Sequence, residues 1–105
     1  MPRNVVFYTT ETGKRPVEQF LDSLESKEAQ KISWVLKKLT GTEEIWECRV
    51  RTKSKAIRIF GFFVNGDTLV LTHGYAKKSQ RTDARQIKLA ENYRRDYFAR
   101  NRRLS

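Results

Sequence analysis

The chain of 105 residues is poor in cysteine and histidine, with one of each, Cys48 and His73. A single cysteine excludes an internal disulfide framework and fits a reducing compartment. One histidine, one cysteine and no clustered carboxylates do not make a zinc site of ordinary type. Glu47, Asp67 and Asp83 are not spaced to converge on Mg²⁺, so we predict a protein without a metal or a cofactor.

Glycine-rich loops and long apolar segments are also missing. The five glycines form no phosphate-binding loop, which argues against a nucleoside triphosphatase. No segment is long and apolar enough to enter a membrane, and the first ten residues contain no apolar stretch of signal-peptide length. We therefore expect a cytoplasmic protein, and the length of the chain predicts one domain over residues 1–105.

Acidic residues are scarce relative to basic ones. The chain has 22 lysines and arginines against 12 acids, and residues 41–105 carry eight of the ten net positive charges. Because the excess lies on predicted sheet and helix rather than in a tail, it indicates a polyanion or an acidic protein as partner. The alternative is a basic surface that binds nothing in particular.

The periodicity of the apolar residues predicts an α+β fold with the element order β-α-α-β-β-β-α. Alternation and β-branched or aromatic residues predict strands over residues 4–10, 45–51, 56–64 and 68–76. Capping residues and the i, i+3, i+4 spacing predict helices over residues 16–24, 26–41 and 82–100. Asn65-Gly66 predicts a hairpin turn with positive φ at both positions. We expect a small, mainly antiparallel sheet with the two N-terminal helices on one face.

The stretch from Ile45 to Gln80 concentrates cations on the predicted sheet, with two acids against seven bases. Strand parity puts a set of side chains on one face, with Lys78 at its edge: Arg49, Arg51, Arg58, His73, Tyr75 and Lys77. RNA cleavage by its own 2′-OH needs a proton acceptor, a proton donor and cations that stabilise the phosphorane, and it needs no metal. Histidine, tyrosine and lysine supply these functions.

Several of these residues have a second interpretation. Arg58 lies in an apolar strand, where its charge either reaches solvent or a ligand, or pairs with Glu47 on a neighbouring strand; the two are compatible. A lone histidine such as His73 is more often structural than catalytic. In the terminal helix, arginines including Arg94 and Arg95 alternate with aromatic residues, and for the aromatics we favour packing on the sheet.

Taken in order, four stretches of the chain resemble the RelE/HigB-type toxins of bacterial type II toxin–antitoxin modules, and most of all the HigB-like branch that includes phage-derived proteins. They are RPVEQFLDSL, GTEEIWECRVR, AIRIFGFF and LVLTHGYAKKSQRTDARQI. The resemblance implies a compact sheet with an open basic face. It also implies metal-independent cleavage of mRNA on translating ribosomes, and a neutralising antitoxin that is usually a small helix-turn-helix DNA-binding protein.

The resemblance extends to single residues, since Arg58 matches the strand arginine of these toxins and Lys77 and Lys78 match the basic pair after the last strand. The catalytic candidates are Arg58, His73, Tyr75, Lys77 and Lys78. The candidates for RNA binding are Arg49, Arg51, Lys53, Lys55, Arg81, Arg94 and Arg95. The alternative function is a non-catalytic module, an inactive toxin relative that binds RNA or a protein partner through the same face.

Overall fold

The computed structural model describes residues 2–22, 33–51, 56–77 and 84–101. Within these ranges the elements are, in chain order, β1 (Asn4–Phe7), α1 (Pro16–Asp22), β2 (Ser33–Lys38), β3 (Trp46–Arg51), β4 (Ala56–Val64), β5 (Thr68–Lys77) and α2 (Ala84–Asn101). The α+β class is as predicted. Neither of the described helices is long and apolar enough to cross a membrane.

Five strands form one sheet in the order β1-β5-β4-β3-β2. Strands β2 to β5 are antiparallel neighbours, so the prediction of a mainly antiparallel sheet is confirmed. The hairpin between β4 and β5 turns at Asn65 and Gly66, which have φ values of 56° and 78°, as the sequence predicts. Strand β1 pairs with β5 in parallel at one edge of the sheet, and β2 forms the other edge.

The prediction of a second N-terminal helix over residues 26–41 is wrong for the part that the structure describes. Residues 33–38 form strand β2, which pairs antiparallel with β3 from Ser33↔Arg51 to Lys38↔Trp46. The segment WVL combines residues that favour strands, and pairing along all of β3 outweighs its weak helical periodicity. Residues 23–32 lie outside the described ranges. The described order is therefore β-α-β-β-β-β-α.

The two helices pack on opposite faces of the sheet. Helix α1 places Val17 and Phe20 against the cluster of Val50, Ile57 and Ile59, and we call this side the α1 face. A Cβ on Gly74 would lie 2.7 Å from the Phe20 ring, so glycine there lets α1 approach β5 closely. On the other side, the α2 face, helix α2 covers two clusters built around Phe60, Phe62, Val70 and Ala90.

A β-bulge in β5 changes which side chains face α2. The β4–β5 register runs Phe60↔His73 and then Gly61↔Leu71, so Thr72 is an extra residue on β5. The Thr72 hydroxyl lies 3.2 Å from the carbonyl oxygen of Phe60 and is fully buried. Because of the extra residue, His73 and Val70 both lie on the α2 face although they are three positions apart. Bulges of this kind often re-aim a side chain next to a functional site.

Candidate nucleic-acid interface and reaction site

The sheet register arranges the candidate residues in rows that cross the strands on the α2 face. In one row, which we call the arginine row, Arg49 pairs with Arg58 and Arg58 pairs with Tyr75. The neighbouring rows are Glu47–Phe60–His73 on one side and Arg51–Ala56–Lys77 on the other. Cross-strand partners project from the same side of a sheet. Of the six residues that strand parity placed on one face, the five with described side chains therefore share that face: Arg49, Arg51, Arg58, His73 and Tyr75.

Helix α2 covers part of this face, which limits the open basic surface implied by the resemblance. Its contacts run from Phe62 at one end to the Glu47–Phe60–His73 row at the other. Ile87 packs with Phe60, and Gln86 bonds to His73. Farther along the strands, Arg49 is partly exposed and Arg51 is exposed, whereas Arg58 is buried and Tyr75 packs against the cluster of Phe60 and Ala90. The candidate site is thus the part of the face next to the start of α2.

A buried carboxylate holds the two arginines of the arginine row. Glu47 has no exposed side-chain surface, and its Oε1 accepts a hydrogen bond of 2.5 Å from Nε of Arg49. Nε of Arg58 lies 3.8 Å from the same oxygen, and the Arg58 side chain is only 8% exposed. Of the two interpretations of Arg58, pairing with Glu47 is the one observed. A buried charge is tolerated when an opposite charge compensates for the lost hydration.

Arg58 retains a buried donor that Glu47 does not satisfy. At 3.8 Å its Nε forms an ion pair with the carboxylate but no hydrogen bond, and this nitrogen has no hydrogen-bond partner. An unsatisfied buried donor costs free energy that an incoming acceptor recovers. Arg49 is 39% exposed and bonds to Glu47 through Nε. The cluster of one acid and two bases keeps a net positive charge.

His73 is a buried, fully bonded histidine at the contact between β5 and α2. Its Nδ1 lies 3.0 Å from the Thr72 hydroxyl and its Nε2 lies 3.0 Å from Oε1 of Gln86. The ring stacks on Phe60, with a centroid distance of 5.3 Å, and is 6% exposed. Burial lowers the pKa of His73, and the bond to Gln86 opposes this shift only in part. In this arrangement the imidazole connects α2 to the sheet and offers no ring nitrogen to a ligand.

Tyr75 lies at the outer end of the arginine row and is only partly buried. Its ring is nearly parallel to that of Phe60, with an interplanar angle of 10° and a centroid distance of 5.9 Å. The register puts it directly beside Arg58. Of the two side chains predicted to transfer protons, His73 and Tyr75, it is Tyr75 that the register puts beside an arginine.

The predicted RNA-binding residues separate into groups. Arg51 is exposed at the end of β3, in the row next to Arg49. Arg94 and Arg95 lie on α2 and pair instead with the loop before β3: Arg94 is 3.8 Å from Glu44, and Arg95 forms a two-pronged ion pair with Glu43. This ion pair lowers the pKa of Glu43. Both contacts lie at the opposite end of β3 from Arg51.

Five further candidates have no described side chain. Lys77 is described by its backbone, which pairs with Ala56. The others lie outside the described ranges: Lys53, Lys55, Lys78 and Arg81. Among the residues that the structure describes, no three histidine, cysteine or acidic side chains converge in a way that could hold a metal ion.

Sequence reasoning missed the residues that β2 adds to this face. Val35 pairs with Arg49 and Lys37 pairs with Glu47, so both project from the α2 face. The helix prediction over residues 26–41 hid them, because it put Leu36 and Val35 on one widened apolar stripe, whereas a strand directs these neighbours to opposite faces. The signal that would have found them is strict alternation, since Val35 and Lys37 are two positions apart and continue to Leu39, which packs in the α2-face core.

Comparison with protein families gives one match. Residues 11–95 match the family described as phage derived protein Gp49-like. The matched range includes Glu47, both arginines of the arginine row, His73 and Tyr75. A comparison with curated proteins found none that matches the chain.

The burial of His73 predicts a pH dependence of stability. Its pKa in the folded protein lies below the ordinary value of 6.5. The unfolded chain therefore binds the proton more tightly, and the free energy of unfolding should fall as the pH drops below about 6.5, levelling off below the folded-state pKa. Urea unfolding between pH 5 and 8 measures this. As His73 is the one histidine of the chain, His73→Gln should remove the slope; an equal slope in that variant would assign it to other groups.

Glu47 predicts a large effect on stability from a nearly isosteric change. Glu47→Gln leaves two guanidiniums beside a neutral amide, one of them almost completely buried, and should lower the free energy of unfolding by about 3 kcal/mol. The double variant Glu47→Gln with Arg58→Gln should lose less, because it also removes the uncompensated charge. The exposed Glu11→Gln is the matched control. A loss for Glu47→Gln as small as that control would contradict the importance of the pair.

Proposed function

We infer the function from the family: the chain belongs to the Gp49-like family of phage-derived proteins, a RelE/HigB-type toxin family related to toxin–antitoxin systems. Toxins of this family are generally ribonucleases. We propose that this protein is the toxin of a type II module and an endoribonuclease. It cleaves mRNA without a metal, by attack of the 2′-OH on the adjacent phosphate.

The observation that supports this proposal is the arginine row beside the start of α2. A pentacoordinate phosphorane carries more negative charge than the phosphodiester, so fixed cations accelerate its formation. Arg49 and Arg58 are held side by side by one carboxylate, and the Nε of Arg58 is a buried donor without a hydrogen-bond acceptor. We assign phosphorane stabilisation to Arg58 and Arg49, with Lys77 and Lys78 completing the charge.

We assign proton transfer to Tyr75 in preference to His73. Tyr75 is partly exposed and lies beside Arg58, whereas His73 is only 6% exposed and lies under the start of α2. For His73 to transfer a proton, Gln86 must first release Nε2. In our proposal His73 positions α2 against the sheet and Tyr75 acts on the substrate.

The substrate and partners follow from the same site. We propose mRNA on the translating ribosome as substrate, which puts the protein in the cytoplasm. We assign RNA binding to Arg51, which lies in the row next to the arginine row, and keep the sequence prediction of RNA binding for Lys53, Lys55 and Arg81. Arg94 and Arg95 are already paired with acids at the other end of β3, so we give them a structural role first. The family implies an antitoxin partner, and we propose a small helix-turn-helix DNA-binding protein for it.

A non-catalytic binding module is the second candidate function, and one observation favours it. Arg58 and His73 are each only 6% exposed, which is low for residues that must reach a phosphate. In this alternative the exposed cations bind RNA or an acidic partner, and the buried cluster is purely structural. Salt dependence does not separate the candidates, because both bind through charge.

Analysis of RNA ends separates them. The purified protein is added to a translating system, and the mRNA products are examined for a 2′,3′-cyclic phosphate and a 5′-hydroxyl. We expect cuts with these ends, together with growth arrest when the gene is induced in cells. Intact mRNA and normal growth would favour the binding module.

Tyr75→Phe tests the assignment of proton transfer. The variant loses one hydroxyl, so the cleavage rate at saturating RNA should fall about 100-fold or more, while RNA affinity stays close to that of the unchanged protein. Tyr97→Phe, which removes a hydroxyl from α2 at the Phe62 contact, is the matched control and should cleave normally. Full activity of Tyr75→Phe would return the role to His73 or to another group.

A further inference from the structure

Val35 is the most exposed large hydrophobic residue in the described part of the chain, at 61%. It lies on edge strand β2, where it pairs with Arg49 across the sheet. A single exposed valine is ordinary by itself. What distinguishes Val35 is its position, since it extends the arginine row to a fourth strand: Val35, Arg49, Arg58 and Tyr75.

Lys37 adds a cation to the same border, by which we mean the α2-face side of edge strand β2. It is exposed and pairs with Glu47, so it lies beside the buried carboxylate that holds both arginines. Strands β2 to β5 contain a single acid, Glu47, and that acid is fully buried. The accessible part of this border therefore combines one apolar side chain with positive charge.

This combination fits single-stranded RNA better than it fits a protein. Single-stranded RNA presents bases with apolar surfaces and a phosphate for each nucleotide, and proteins bind it with apolar or aromatic platforms next to cations. A protein docking surface needs a larger continuous apolar patch, and here the next residue of β2 on this face is Lys37. The row ends with Tyr75 on β5 and with Val35 on β2, three strand spacings apart.

We propose that β2 is the RNA-binding border of the site, where Val35 contacts a base and Lys37 a phosphate of a nucleotide adjoining the cleaved bond. The proposal rests on the proposed function in taking RNA as the ligand. It adds a binding element that the helix prediction had concealed, and it makes Val35 a determinant of which base is accepted.

The other edge of the sheet provides a matched control. Val5 on β1 is 53% exposed, and it pairs with Leu69 rather than with a cation. Val5→Glu and Val35→Glu therefore make the same substitution, with the same change in net charge, on two exposed edge strands. Lys14, an exposed lysine of the β1–α1 loop, is the corresponding control for Lys37.

The experiment measures the affinity of each variant for a 2′-O-methyl RNA oligonucleotide, which binds without being cleaved. Val35→Glu should weaken binding about 10-fold or more, because it puts a negative charge beside the phosphates. Val5→Glu should change it by less than about 2-fold at roughly 150 mM salt, where distant charges are screened. Lys37→Ala should reduce the slope of log affinity against log salt by about 0.7, and Lys14→Ala should not. Circular dichroism confirms that all four variants are folded.

The outcomes separate this inference from the proposed function. Equal losses in Val35→Glu and Val5→Glu, or no binding by the unchanged protein, would overturn the assignment of β2. If the unchanged protein binds the oligonucleotide with the expected difference between the variants but never cleaves mRNA, the border stands and the endoribonuclease proposal fails. Cleavage with no effect of Val35→Glu on affinity or on the choice of cut site would leave the endoribonuclease and remove β2 from it.

Discussion

The buried carboxylate of Glu47 is the interaction on which the arrangement of the site depends. An arginine inside an apolar strand is too costly without an opposite charge, and Glu47 supplies that charge to Arg58 from the neighbouring strand. The same oxygen binds Arg49, so two cations are held next to each other against their mutual repulsion. One acid thus makes Arg58 compatible with the sheet and gives the arginine row its geometry. Glu47 lowers the positive charge of the α2 face, and the same carboxylate fixes the positions of both arginines.

One sheet face serves both as core and as site, and His73 marks the border between the two. On one side of its row, aromatic and aliphatic residues pack under α2; on the other lie the arginine row and Arg51. The imidazole bonds to Gln86 of α2 and to Thr72 of its own strand. The bulge at Thr72 gives His73 this orientation. The position of α2, and so the extent of the uncovered surface, is therefore coupled to the bonds of a buried histidine.

The sequence predicts the strands of the meander and the shared face well, because alternation is a local property with period two. Arg49, Arg51 and Arg58 fall on one side by parity alone. Parity does not predict burial, because burial depends on where α2 lies. The sequence therefore predicts His73 on an accessible surface, whereas the structure buries it under α2. Strand β2 was missed for a related reason. Its apolar residues fit both the helical and the strand period over a short segment, and only pairing with β3, which lies outside the segment, decides between them.

The uneven distribution of charge over the described surface comes more from the placement of the acids than from the placement of the bases. Arginines occur at both ends of the sheet and along α2. At one end Glu43 and Glu44 bind Arg95 and Arg94, and on α2 Asp96 binds Arg100. Strands β2 to β5 contain only Glu47, which is buried and already shared by two arginines. Within these described strands, one buried acid is therefore set against several bases around the arginine row. In the function that we propose, this asymmetry attracts RNA to that face in particular, although the basic residues alone would have distributed the attraction over the whole C-terminal half.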